Sequence, residues 1–134
     1  MFLNILNEDE KILFLEMALT VAAANDVLEE TEVLMLEQYC KEMDIAPFEK
    51  PQIRSLDEII TAFKDSTETS KHIAVLELLG LGHSDGSFDK TEDSSIKDFA
   101  LGIGLSEELY NTLSHDIDSY VTILNDIEAH VFTE

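Results

Sequence analysis

The sequence is poor in every residue type that would mark a secreted, turn-rich or nucleic-acid-binding protein. It has one cysteine, Cys40. That excludes an internal disulfide and any multi-cysteine zinc or iron–sulfur site, and a reducing cytoplasm is the simplest home. Two prolines and five glycines in 134 residues are too few for a β-rich fold with many turns. Tryptophan is missing altogether. Only 8 Lys and Arg stand against 29 Asp and Glu, a formal charge of −21. Sequence-independent nucleic-acid binding needs basic side chains to displace phosphate counterions, so that class is excluded. Docking on anionic membranes is disfavoured for the same reason. The apolar runs are interrupted at Glu16 and Glu77, well short of the ~20 residues of a membrane span. The first ten residues carry no basic leader and reach acid quickly, unlike a signal peptide.

What remains is helix signal. Apolar residues are 45 % of the chain, enough for one core in a single domain over 1–134. Asn7 and Glu10 form a capping-box pattern ahead of the run Ile12–Ala24, which is apolar almost all round and so belongs mid-bundle. A second, amphipathic helix is predicted over about 30–44, with Val33, Leu36, Tyr39, Cys40 and Met43 inward. Pro47 and Pro51 mark an irregular connection. Ser55 and Glu58 then open a helix with Leu56, Ile59, Ile60 and Phe63 inward. His72–Gly82 is again apolar, a helix near 90–101 stops at Gly102/Gly104, and Ser106 caps Glu107–Leu113. A last helix over about 116–131 aligns Ile117, Tyr120, Val121, Leu124, Ile127 and Val131 in one stripe. The expectation is an all-α bundle of about six to seven helices.

A shift of sixty residues aligns the chain with itself. Lys11, Leu19, Thr31 and Glu32 fall on Lys71, Leu79, Thr91 and Glu92. Apolar positions follow: Leu36 falls on Ile96, Tyr39 on Phe99, Met43 on Ile103. This pattern predicts an internal duplication, with repeats over about 8–45 and 68–105 and C-terminal helices over 106–131. The two hairpins would pack about a pseudo-twofold axis.

Both predicted hairpin turns are acidic. The second contains Asp85, Gly86, Asp89 and Glu92; the first contains Asn25, Asp26, Glu29, Glu30 and Glu32. Hard cations such as Ca²⁺, Mg²⁺ or Mn²⁺ take several oxygen ligands, and Asp85, Asp89 and Glu92 are candidates to supply them. The spacing from Gly86 to Phe88, Asp89 and Glu92 imitates the second half of a calcium loop. The first half fails, because Leu81 and His83 stand where acids are needed, so an EF-hand is rejected. The same acids also suit the first turns of helices, where free N–H groups favour carboxylates. Glu16 and Glu77, inside apolar helices, are either ligands or acid/base groups, occupants of a solvent-facing strip, or hydrogen-bond acceptors for a neighbouring turn. The four histidines show no ligand spacing, and Cys40 lies on the inward stripe of its helix, where packing is its ordinary role.

The pattern Leu15-x-x-Ala18-Leu19-x-Val21-Ala22-Ala23-Ala24, then Asn25-Asp26 or Asp85-Gly86, then Glu32 or Glu92, then an amphipathic helix ending Met43-Asp44-Ile45 or Ile103-Gly104-Leu105, resembles the TerB-like tellurite-resistance family over about residues 8–131. The resemblance implies a bacterial, all-helical, internally duplicated domain of tellurite-resistance and stress-response systems, found also beside J-domain co-chaperones and membrane-associated proteins. It further implies a divalent-cation role for acidic residues, which by position nominates Asp85 and Glu92, then Asn25 and Glu32. The first copy departs from the pattern, with Asn25-Asp26 in place of Asp-Gly. A surface at −21 repels an anion such as tellurite.

Function therefore points to a non-enzymatic, cytoplasmic acidic module, monomeric or homodimeric, that binds a basic partner protein and a divalent cation. The alternatives are a scaffold without metal and a carboxylate-based metal hydrolase using Glu16 or Glu77. After Lys97 there is no Lys or Arg, while eight acids follow, which nominates the last helix as a surface for a cationic partner.

Overall fold

A computed structural model describes residues 1–22, 30–45, 54–83 and 90–132; Thr31, Glu32, Lys90, Thr91 and Glu92 are described in backbone only. Within these residues the fold is all-helical. A single 3-10 turn, Leu3–Ile5, precedes α1 (Glu8–Ala22), α2 (Glu30–Met43), α3 (Leu56–Phe63), α4 (Glu68–Gly82), α5 (Lys90–Gly102) and α6 (Glu107–Val131).

The capping signals form as the residues dictate. Asn7 Oδ1 accepts from the Glu10 N–H at 2.8 Å, and Glu10 Oε1 accepts from the Asn7 N–H at 2.9 Å. Ser55 and Glu58 make the same reciprocal box at α3. Thr67 and Ser106 cap α4 and α6. Each satisfies helix N–H groups that have no partner within the helix.

Helices α1 and α4 form the centre. Phe14, Met17, Ala18 and Val21 of α1 and Ala74, Val75, Leu78 and Leu81 of α4 are fully buried. The two helices meet near their first turns, where Ser70 Oγ donates to Glu10 Oε1 at 3.1 Å. Around them, α2 presents Leu36, Tyr39, Cys40 and Met43, and α5 presents Ile96, Phe99 and Ala100. Two edge-to-face ring pairs, Phe14–Tyr39 at 5.5 Å and Phe63–Phe99 at 5.8 Å, add directional packing. Cys40 is buried, and Met17 and Met43 fill the core, as their inward spacing predicts.

Many landmarks recur sixty residues apart. α1 and α4 start and stop at corresponding positions. α2 and α5 both end in a residue of positive φ, Asp44 at 56° and Gly104 at 106°. At each end the next N–H reaches back to close the last turn, Ile45 to Cys40 O at 3.1 Å and Leu105 to Ala100 O at 3.0 Å. The 3-10 turn packs on α2 and α4, as α3 packs on α5 and α1.

One expected boundary is wrong. Instead of a helix ending at Leu113 and another beginning near 116, α6 runs unbroken through Ser114, His115 and Asp116. Those polar residues mimic a stop and a cap, but the spacing Leu109–Leu113–Ile117 keeps one face against the core and carries the helix through. Tyr110 and Ile117 are buried, and Tyr110 Oη donates to the Asp93 carboxylate of α5. Lys97 and Glu107 pair at 2.9 Å beside it.

Candidate functional site

The proposed cation ligands Asn25, Asp26, Asp85 and Asp89 lie outside the described residues. Glu32 and Glu92 fall in the first turns of α2 and α5 by backbone. Among the described residues no cluster of three or more His, Cys, Asp or Glu is arranged to hold a metal ion.

Glu16 and Glu77 are both buried, so neither sits on a solvent strip. Each is engaged by a cationic group outside its own helix. Glu16 pairs with the Arg54 guanidinium, which enters from the segment before α3. Glu77 accepts from the Phe2 N–H at 2.8 Å and pairs with the Met1 amine at 2.9 Å. Glu42 of α2 completes this clasp, bonding the Met1 amine at 2.8 Å and the Leu3 N–H at 2.7 Å. Burial works to lower the pKa of that amine, but the bonds and charges of Glu42 and Glu77 outweigh it, and the net shift is upward. The sequence reading missed this clasp. Its one signal is the apolar pair Leu3 and Leu6, which are buried and pull the first residues onto the body.

Tyr39 lies beneath the clasp and donates to the Glu77 carbonyl oxygen at 3.0 Å. Burial, with the charges of Glu77 and Glu42 second, pushes its phenol far above the usual range. Burial likewise raises the Cys40 thiol, helped by Glu37, which keeps it protonated and fits a packing role.

Next to the clasp, α2, α4 and α6 enclose an open groove of about 970 Å³. Its floor is Leu76 and Gly80 of α4 with Ile117 of α6; its walls are Leu34, Met35 and Gln38 of α2 and Tyr120, Val121 and Leu124 of α6. The inward stripe of α6 continues past the body it packs on. Tyr120, Leu124, Ile127 and Val131 along it are all exposed, Val131 by 64 %, and Ile123 is exposed beside the stripe, outside the groove lining. Six acids and no Lys or Arg lie on the same helix. Exposed apolar surface of this extent on one face is characteristic of an interaction site.

No helix among the described residues is long and apolar enough to cross a membrane. Compared with known proteins, the chain matches no family model, and no curated protein or solved structure matches it.

Proposed function

We propose that the chain is a non-enzymatic, acidic interaction module of the TerB-like type: two copies of one helical hairpin about a pseudo-twofold, binding a cationic partner protein and a divalent cation in the cytoplasm. Support for the duplication comes from the landmarks sixty residues apart, above all the matched helix ends at Asp44 and Gly104. The observation that carries the partner reading is α6, whose apolar stripe stays uncovered over its second half on a helix with only acidic charge. The non-enzymatic reading is supported by Glu16 and Glu77, the hydrolase candidates, each of which is already held by a cation.

The cation reading rests on the spacing of Asp85, Asp89 and Glu92 and, in the first turn, Asn25, Asp26 and Glu32. A cation at 100 times its Kd adds about 2.7 kcal/mol of stability. Melting curves in Ca²⁺, Mg²⁺, Mn²⁺ and Zn²⁺ test it. Wild type should gain selectively, and Asp85→Asn and Glu92→Gln should lose the gain; equal responses in all three proteins remove the site. The partner reading is tested with a purified lysine-rich peptide against a variant neutralised at Asp116, Asp118, Asp126 and Glu128. Weaker, less salt-sensitive binding to the variant is expected. Identical binding would take α6 out of the reading.

A further inference from the structure

The geometry points to a specific occupant of the groove: a basic amphipathic α-helix of a partner protein, laid beside α6 with its apolar face on Tyr120, Val121 and Leu124 and its cationic face outward. This rests on the cationic-partner reading above and narrows it.

The argument begins with the backbone. The groove is walled and floored by helices, α2, α4 and α6. Their N–H and C=O groups are spent within each helix, so an extended peptide finds no edge to pair with and leaves its own polar groups to water. A helix arrives with those groups already satisfied. The length agrees: from Ile117 to Glu128 the groove follows α6 for about 17 Å, or three turns. Its lining is apolar where a packed face would sit, and ridges-into-grooves packing needs only that face.

Charge selects the partner. α6 bears Glu107, Glu108, Asp116, Asp118, Asp126 and Glu128 and no Lys or Arg. Glu128 lines the groove, and helical spacing puts Asp116 and Asp118 on the two flanks of the stripe. Glu42 and Glu77, also at the groove, are already engaged by Met1. Lys41 is the one Lys or Arg among the lining residues. A second copy of the chain also carries a net charge of −21, and like-charge juxtaposition across an interface opposes its seating here. A lysine- or arginine-flanked helix gains apolar burial and attraction together.

The test uses the full chain and three labelled synthetic peptides of about eighteen residues. One is a Leu/Lys amphipathic helix, one has the same composition scrambled, and one is the amphipathic helix with Glu in place of Lys. Anisotropy should show the first binding at least about tenfold more tightly than either other, with a gain of helicity on binding. Leu124→Lys, checked for fold by circular dichroism, should weaken it by about tenfold or more, while Ile123→Lys, outside the groove lining, should not. If the amphipathic and scrambled basic peptides bind alike and Leu124→Lys changes nothing, the groove inference fails and the cationic-partner reading survives. If neither basic peptide binds, both fail. A concentration-dependent dimer abolished by Leu124→Lys would assign the groove to a second copy and overturn the inference.

Discussion

Replacing Arg54 by alanine isolates the role of Glu16. The Glu16 side chain is 6 % exposed and its carboxylate pairs with a guanidinium whose side chain is 46 % exposed. Removing one member of a fully buried ion pair costs about 3–5 kcal/mol, because the other charge stays behind without a partner. Water reaches the Arg54 side of this pair and screens it, so about 2–3 kcal/mol is the expected loss. For a domain of this size that lowers Tm by roughly 10 °C. Urea denaturation at neutral pH measures it directly. Glu16→Leu should behave differently: it removes the buried charge with its partner's purpose, and the net change should stay within about 1.5 kcal/mol. In that background Arg54→Ala should cost less than about 0.5 kcal/mol, so the double-mutant cycle returns a coupling of about 2 kcal/mol. Additive losses, or an Arg54→Ala variant as stable as wild type, would refute the view that Arg54 exists to neutralise Glu16. It would also reopen Glu16 as a free carboxylate for chemistry.

Gly102 and Gly80 should respond oppositely to alanine. A Cβ at Gly102 would stand 2.7 Å from Ile60 Cδ1 and 3.0 Å from its Cγ2, so the Ile60 side chain must give way and a loss of about 1–3 kcal/mol is expected by denaturation; at Gly80 the nearest atom is 3.7 Å away, and the helix gains up to about 1 kcal/mol. The two left-handed helix ends make a matched pair: Asp44→Gly should stabilise by up to about 1 kcal/mol, and Gly104→Ala should destabilise by about 1–2 kcal/mol. Tyr39 and Tyr110 have phenol pKa values raised above 10.0 by burial, with the neighbouring carboxylates adding to it. Their protons are held more tightly in the folded chain, so this contribution is complete below pH 10 and is lost as pH rises beyond it. Ultraviolet titration should show both phenols ionising together with alkaline unfolding, and ionisation ahead of unfolding would contradict their burial. Amide exchange along α6 should be slow up to Ile117 and fast from Tyr120 onward in the free protein, and uniform protection would show that the second half is held by something other than the body.

Local chemistry made much of this fold readable. Asn7/Glu10, Ser55/Glu58 and Ser106 are capping residues whose partners lie within three positions, so no tertiary information is needed to place them. The inward faces of α2 and α5 were equally plain, because Leu36, Tyr39, Cys40 and Met43, and Ile96 and Phe99, keep strict helical spacing. The false break in α6 shows the limit of local reading. Ser114, His115 and Asp116 have the composition of a boundary, and the face that overrides it packs chiefly on α4, which lies far away in sequence, and on the preceding helix α5. The clasp on Met1 was out of reach for the same reason: Glu42 and Glu77 are 41 and 76 positions from it, and only packing brings the three together. The groove was half visible. The stripe Ile117–Val131 was legible as apolar, but a sequence does not say which part of a stripe the rest of the chain covers.

That last distinction bears on function. A helix whose inward face is covered throughout needs no explanation beyond stability. In α6 the covered part, Leu109 to Ile117, suffices to anchor the helix against α4 and α5. The remaining turns add exposed Ile, Leu, Tyr and Val side chains that contribute nothing to the core and raise the risk of self-association. Val121, Thr122, Ile123 and Ile127 are β-branched and favour helix less than Leu or Ala would, so helical propensity does not account for them either. On the proposed reading, the acids on the same helix supply the missing constraint: like charge would oppose a second copy and favour a partner of opposite charge. Apolar side chains that serve neither the core nor the helix, guarded by one sign of charge, are what a selective docking surface requires.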